Sequence, residues 1–290
     1  MDSPAPVMVG VDGSKAGVRA ALWAADEAAA RDTTLDLVYV VDPERFDDLD
    51  DAMAVARHAI HRAWQAITAS DKQVKLESEI LQGNPIIELA NAAHRAALIC
   101  VGHKGMDDSA PMARGWTATS LARIAPISVA VIRRRHTHRP PSFHRWVVAV
   151  LDESAQSNTV LQTALDEASF REAPVLALTT WSTSTSHHGA APESGDIRAE
   201  MDRYLEESQG GSADVQVCAL PMPKNLTTLL EQSASIEQLF VIDSTRTDLV
   251  DQLTSADARK AMRKSNCSIL VVHAEALPAQ DVSEYELADD

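Results

Sequence analysis

An internal repeat constrains the fold of this chain more than any other feature of its sequence. Three segments of each half match in the same order, at an offset of 140 or 141 residues along the 290-residue chain. The matched pairs are Val7–Ser14 with Val147–Ser154, Leu98–Gly102 with Leu239–Asp243, and Ser128–Ile132 with Ser268–Val272. Matches that keep one order and one offset indicate two homologous domains.

The boundary between the two halves is a basic, polar stretch that carries Pro140 and Pro141. Consecutive prolines continue neither a helix interior nor a strand ladder, so this stretch is predicted to be a semi-rigid linker. We therefore expect a first domain over residues 1–135, a linker over 136–145 and a second domain over 146–273. Residues 274–290 are acidic without apolar periodicity and are predicted to be a disordered tail.

Within each half, short apolar runs alternate with helical periodicity. In the first half the predicted strands are Val7–Val11, Leu35–Val41, Val74–Leu81, Leu98–Val101 and Val129–Ile132. The segments between them have the 3.6-residue period of amphipathic helices, and Trp23 and Trp64 on these helices are expected in the core. Strands that alternate with helices predict a parallel sheet. The predicted fold class is therefore α/β, with two tandem doubly wound, Rossmann-like domains.

Charge and composition exclude several classes of function. The chain has 26 Lys and Arg against 42 Asp and Glu, a net charge of −16, which argues against nucleic acid and anionic membranes as partners. The sequence contains no apolar run of the ~18 residues that a transmembrane helix needs, and its first residues do not resemble a secretory signal. Its three cysteines form no paired motif and are expected to be buried, reduced thiols. We expect a cytoplasmic protein.

The residues that follow each predicted strand are the candidates for binding, because open α/β sheets bind ligands beyond the carboxyl ends of their strands. Asp12, Gly13 and Ser14 follow the first strand. A carboxylate there suits a ribose hydroxyl, and Ser14 suits a helix N-cap. The alternative, equally weighted on these residues alone, is that Asp-Gly-Ser is only good turn chemistry.

A glycine pattern follows the fourth strand. Two residues separate Gly102 from Gly105, and nine residues separate Gly105 from Gly115, which stands at a predicted helix start. Glycines let main-chain amides converge on an anion, and a helix N-terminus favours phosphate. Lys104 and Arg114 flank this segment and are candidates to neutralise phosphate charge.

These residues resemble the nucleotide motif of the universal stress proteins, G-2x-G-9x-G-[S/T], and the resemblance covers residues 6–273 in both halves. It implies an adenine-nucleotide alpha-hydrolase-like fold that binds ATP together with Mg²⁺. By resemblance, Asp12 contacts the ribose or the adenine edge, the main chain at Val40 lines the adenine, and the glycines hold the triphosphate. Gly10 is included in the same candidate site.

One position departs from the family motif. Trp116 stands where Ser or Thr is expected after Gly115, and Thr117 is one place late. The indole either stacks beside the nucleotide or blocks the phosphate site, and the amide at 116 still suits phosphate.

The second half departs further from the motif. Asp152 persists, but Glu153 replaces the turn glycine, and Asp243 and Arg246 replace the first two motif glycines. An acidic residue facing a triphosphate is repulsive, so this half is predicted to be a degenerate, structural copy.

The leading hypothesis is an ATP-binding regulatory protein of the stress response, with the nucleotide in the first domain and a protein partner of unknown identity. The first alternative is a nucleotide-free interaction and dimerisation module, whose apolar fifth strands would pair edge to edge. The second alternative is a slow ATPase, with His103 as the one candidate base and no catalytic triad. A homodimer is expected in either case.

Overall fold

The computed structural model describes residues 4–103, 116–133, 145–152, 154–179, 215–222, 236–254 and 266–273. They divide into two compact units, the first ending at Ile132 and the second beginning at Arg133.

The first unit is a five-stranded parallel sheet flanked by four helices. Its elements are β1 (Val7–Gly10), α1 (Lys15–Ala30), β2 (Leu35–Val41), α2 (Leu49–Thr68), β3 (Leu76–Gln82), α3 (Pro85–Ala93), β4 (Leu98–Gly102), α4 (Trp116–Ile124) and β5 (Val129–Ile132). All neighbours pair in parallel, in the order β3-β2-β1-β4-β5. The chain thus winds outward from β1 in one direction to β3, then returns to the other side of β1. Because such crossovers are right-handed, α1 and α2 cover one face of the sheet, and α3 and α4 cover the other.

Local sequence signals begin the helices. The Ser14 hydroxyl caps α1 by accepting from the Gly17 amide, and the Asp48 carboxylate caps α2 by accepting from the Asp50 amide. Asn84 caps α3, whose first residue is Pro85, where a missing amide costs no hydrogen bond. The expected alternation of strands and helices is confirmed, with element ends shifted by a few residues.

The core of the sheet is continuous and apolar. On the α3–α4 face, Met8 and Val38 from the strands pack with Leu89 of α3 and Leu121 of α4. Trp23 of α1 is buried as expected, but Trp64 of α2 is 38% exposed, so its predicted core position is wrong. The physical reason is that β3 is the edge strand, and the face of α2 that carries Trp64 lines an open groove beside it.

The second unit repeats the topology of the first. Its elements are β6 (Arg145–Leu151), α5 (Ser157–Arg171), β7 (Val175–Thr179), β8 (Val217–Pro221), β9 (Glu237–Asp243), α6 (Thr247–Thr254) and β10 (Asn266–Val272). The parallel order is β8-β7-β6-β9-β10, the counterpart of β3-β2-β1-β4-β5. Val7 pairs with Leu35, and Val147 pairs with Val175, each 140 residues on. The predicted fold class, two tandem doubly wound parallel-sheet domains, is confirmed.

Candidate functional site

The candidate site lies where the strand order of the first unit reverses, at the carboxyl ends of β1, β2 and β4. Gly10 of β1 is level with Val38 of β2 and with Val101 of β4. Extending each register by two residues brings Asp12, Val40 and His103 to one level across three neighbouring strand ends. A crevice at such a reversal is the usual ligand site of a doubly wound sheet.

The turn between β1 and α1 holds Asp12 by local hydrogen bonds. The Ser14 amide donates to Asp12 Oδ1 at 2.9 Å, and the Gly17 amide donates to Ser14 Oγ at 2.9 Å. Gly13 has a φ of +79°, a left-handed conformation that favours glycine. The predicted N-cap is therefore present, and the same turn presents a partly exposed carboxylate at the crevice.

Three side chains near Asp12 were not identified from the sequence. An Arg62 terminal nitrogen, from the middle of α2, donates to the Gly13 carbonyl at 2.7 Å. Burial raises the pKa of Tyr39, the Arg45 guanidinium acts to lower it, and the Asp12 carboxylate acts to raise it. Tyr39, Arg45 and Asp12 thus share one electrostatic environment. Arg62 lies 49 residues from Gly13 on the polar side of a helix, where the sequence carries no signal of this contact.

The structure gives Gly102 a packing reason for being glycine. A Cβ added at Gly102 would lie 2.7 Å from the carbonyl carbon of Ala16 and 2.9 Å from its oxygen. The end of β4 therefore approaches the first turn of α1 more closely than any other residue type permits. At Gly17 the nearest atom to an added Cβ is the end of a side chain, Asp12 Oδ1 at 2.7 Å, so a larger residue there would displace the carboxylate. Gly10 is less tightly packed, with Leu89 Cδ1 at 3.2 Å.

Part of the predicted phosphate segment lies outside the described residues, namely Lys104, Gly105, Arg114 and Gly115. Trp116 is the first residue of α4, and Thr117 follows it in a half-buried position. At the other end of the segment, the His103 amide donates to the Ile132 carbonyl at 3.2 Å, and its Nδ1 lies 3.2 Å from the same oxygen.

The corresponding crevice of the second unit contains an ion pair. Asp152, the counterpart of Asp12, accepts from the Ser154 amide at 2.9 Å and from an Arg246 terminal nitrogen at 2.9 Å. Ser157, the counterpart of Gly17, also donates to Asp152 Oδ1 at 3.1 Å. Arg246 stands where the first half has Gly105, and it forms a second, bidentate pair with Asp248 at 3.0 and 3.1 Å.

The hydrogen bonds of this ion pair lower the pKa values of both carboxylates that contact Arg246. Burial acts to raise the pKa of Asp152, but hydrogen bonds from Ser154, Arg246 and Ser157 outweigh it and hold the pKa at about 2. The hydrogen bond from Arg246 likewise lowers the pKa of Asp248. Asp152 is therefore ionised and paired at neutral pH.

Asp243 is a buried turn residue in the structure, and its repulsion of a triphosphate stays a prediction. Its carboxylate accepts from the Thr245 amide at 2.9 Å and from the Thr245 hydroxyl at 2.7 Å. The carboxylate thus stabilises its own turn. Asp243 carries a Cβ at the position where one on Gly102 would collide with Ala16, and α5 begins at Ser157, two residues later than α1 when the 140-residue offset is applied.

Other chemistry in the described ranges is limited. They contain no cluster of three His, Cys, Asp or Glu side chains that could hold a metal ion. Burial raises the pKa of the Cys267 thiol to about 12, and Cys100 is buried as well, whereas Cys218 is partly exposed. The helices that the structure describes are all too short or too polar to span a bilayer.

The fold defines a class, the tandem doubly wound α/β proteins with a crevice at the strand reversal of each domain. Comparison with known proteins gives the family. The model of the universal stress protein family matches twice, over residues 5–133 and 144–273. The chain therefore belongs to the universal stress protein family, as the nucleotide motif had indicated.

Individual relatives agree with this assignment along the whole chain. The universal stress protein Rv2028c of Mycobacterium tuberculosis (strain ATCC 25618 / H37Rv) is 34% identical over 279 residues, which cover 93% of this chain and 96% of that protein. Rv2624c of the same strain is 33% identical, covering 92% and 95%. The crystal structure of a universal stress protein from Archaeoglobus fulgidus DSM 4304 superimposes with a TM-score of 0.65 at 11% identity, covering 93% of this chain and 96% of that one, which supports the fold.

Proposed function

We propose that the first unit binds ATP, with Mg²⁺ on its phosphates, and that occupancy regulates the protein's conformation or its binding of a protein partner in the stress response. The observation that carries the proposal is the placement of Asp12 and the Val40 main chain at one level, where the strand order of the first unit reverses. In the second unit, Arg246 forms an ion pair with the equivalent carboxylate, Asp152.

The residues of the first unit fit an adenine nucleotide by their chemistry. A carboxylate at a strand end accepts from ribose hydroxyls, and Val40 main-chain groups face the same side as those of Val38, whose carbonyl accepts from the Val11 amide at 2.9 Å. Main-chain groups in that position suit an adenine edge. The α1 N-terminus and the guanidinium groups of Arg45 and Arg62 add positive potential near the turn. Mg²⁺ is commonly held by substrate phosphates with few protein ligands.

The second unit does not bind the nucleotide in this proposal. A ligand there would have to displace the Arg246 guanidinium from the partly buried Asp152 carboxylate, whose lost hydrogen bond would have to be replaced. Ser157 adds a side chain on Asp152 where the first unit has only Gly17. The second unit then serves a structural role.

Calorimetric titration with Mg-ATP tests the proposal, and the repeat supplies a matched control. We expect about one site per chain. Asp12→Ala should weaken binding at least tenfold, since one lost hydrogen bond to a charged group is worth about 1.5–3 kcal/mol, and Asp152→Ala should leave the affinity unchanged. Loss of binding in Asp152→Ala with retention in Asp12→Ala would contradict the proposal.

A second candidate function is favoured by the groove beside β3. Exposed Trp64 lines it together with Ile60, Ile80 and Arg57, in a volume of about 590 Å³. Such a surface suits a nucleotide-independent interaction module, including the predicted homodimer. The same titration distinguishes the two functions, because an interaction module would bind no ATP, ADP or AMP.

A slow ATPase is a further alternative. Turnover that survives Asp12→Ala combined with Gly115→Ala would indicate a contaminant.

A further inference from the structure

The peptide group between Gly13 and Ser14 is hydrogen-bonded at both of its ends. Its carbonyl oxygen accepts from an Arg62 terminal nitrogen at 2.7 Å, and its amide donates to Asp12 Oδ1 at 2.9 Å. One rigid peptide plane thus connects a guanidinium of α2 to the carboxylate at the crevice.

This pair of hydrogen bonds fixes the orientation of the Asp12 carboxylate. Gly13 has a φ of +79°, and a glycine leaves the peptide plane that follows it free to rotate. Two hydrogen bonds at opposite ends of the plane remove that freedom. A donor on the carbonyl also polarises the peptide group, which strengthens the bond that its amide donates. Arg62 therefore acts on the orientation of the Asp12 carboxylate without touching it.

The helix that carries Arg62 is fixed on the sheet, although Arg62 itself is exposed. Its neighbour Ala63 is fully buried, and the same face of α2 buries Ala56, Ala59 and Ile67. The helix backbone that carries Arg62 is thus anchored on the sheet.

We infer that Arg62 is a positioning residue of the nucleotide site, which orients Asp12 through the Gly13–Ser14 peptide group. The inference rests on the proposed function of the first unit. It predicts an effect on the part of the ligand that Asp12 binds, the nucleoside, rather than on the phosphates.

The test compares two arginines of one helix and two ligands. Binding of Mg-ATP and of adenosine is measured by calorimetry on the full chain carrying Arg62→Met or Arg57→Met. Arg57 lies five residues earlier on α2 and lines the groove beside β3. It therefore reproduces the lost charge without the contact to Gly13. We expect Arg62→Met to weaken both ligands equally, by about five- to tenfold, which is less than the loss in Asp12→Ala because Arg62 affects the ligand only through that carboxylate. Arg57→Met should stay within about twofold of the wild type, since exposed charges contribute little.

A double-mutant cycle separates positioning from a general loss of stability. If Arg62 acts through Asp12, Arg62→Met should cost no further affinity in the Asp12→Ala background, although it costs affinity alone. Thermal unfolding without ligand verifies that each variant is folded.

The outcomes distinguish this inference from the proposed function. A loss confined to Mg-ATP would make Arg62 a phosphate-binding charge and would overturn the positioning role, as would unchanged binding of both ligands. Additive losses in the double variant would overturn it too. A wild-type chain that binds neither ligand would instead overturn the proposed function itself.

Discussion

Single residues distinguish the two halves of this protein more clearly than their folds do. Asp12 and Asp152 occupy equivalent positions after the first strand of each unit, and each accepts from the amide two residues later at 2.9 Å. In the second unit, Arg246 bonds Asp152 at 2.9 Å and Asp248 at 3.0 and 3.1 Å. One long cationic side chain, at a position where the first half has a glycine, closes the second crevice.

The acid dependence of stability should report this ion pair. The pKa of Asp152 falls from an ordinary value of 3.8 to about 2 in the folded state, so its contribution is present above pH 4 and is lost as the pH falls toward 2. Arg246→Met should therefore lower the free energy of unfolding by about 1 kcal/mol at pH 7, a figure that allows for the partial exposure of the pair. The difference from the wild type should shrink to a small remainder near pH 2, where about half of Asp152 is protonated in the folded state. Urea unfolding of both proteins at pH 7 and at pH 2 measures this difference in the free energy of unfolding.

A surface ion pair provides the control for this prediction. Arg145 and Glu237 are 3.7 Å apart, and the Arg145 side chain is 48% exposed, so Arg145→Met should change the stability little at either pH. A loss in Arg246→Met that is equally large at pH 7 and pH 2 would show that packing, and not charge, accounts for the role of Arg246.

Among the elements, the contact of β4 with the start of α1 sets the shape of the crevice. Gly102→Ala should destabilise the first unit by about 1–3 kcal/mol, the usual cost of overpacking, because the added Cβ would lie 2.7 Å from the main chain of Ala16. Gly10→Ala is the matched control. Its added Cβ meets a flexible leucine side chain at 3.2 Å, which can move, so its cost should be smaller. Urea midpoints rank the two variants.

The reverse order would mean that α1 moves more readily than Leu89 does. The second unit indicates how such a movement is accommodated over evolution: Asp243 carries a side chain at the equivalent position, and α5 begins two residues later than α1 does.

Much of the element level could be predicted from the sequence, because apolar runs and helix caps are local signals. The strands of the first unit, the Ser14 cap and the repeat all have such signals. The exposure of Trp64 could not be predicted, because it depends on β3 being the edge of the sheet. The contact of Arg62 with Gly13 spans 49 residues, and that of Arg246 with Asp152 spans 94. Replacement of the motif glycines predicted that the second site is lost, but not which side chain fills it.

For the whole molecule, a tandem repeat that binds its ligand in the first unit alone, as proposed, should respond to that ligand asymmetrically. A ligand at 100 times its Kd stabilises the unit that binds it by about 2.7 kcal/mol. Amides of β1, β4 and α1 that exchange through opening of the first unit should then exchange about 100-fold more slowly in Mg-ATP. Amides of β6, β9 and α5 should be unaffected if the units open independently. Hydrogen exchange read by mass spectrometry resolves both sets in one sample.

Equal slowing in both units, with a calorimetric stoichiometry of one, would show that the repeat unfolds as a single cooperative body, and the second unit would then transmit the ligand's stabilisation. Equal slowing with a stoichiometry of two would show that the nucleotide displaces Arg246 from Asp152. That result would contradict the proposal that the second unit does not bind the nucleotide. Slowing confined to the first unit would support the proposal that one copy of the fold binds the nucleotide, while the other has an internal ion pair at the equivalent position.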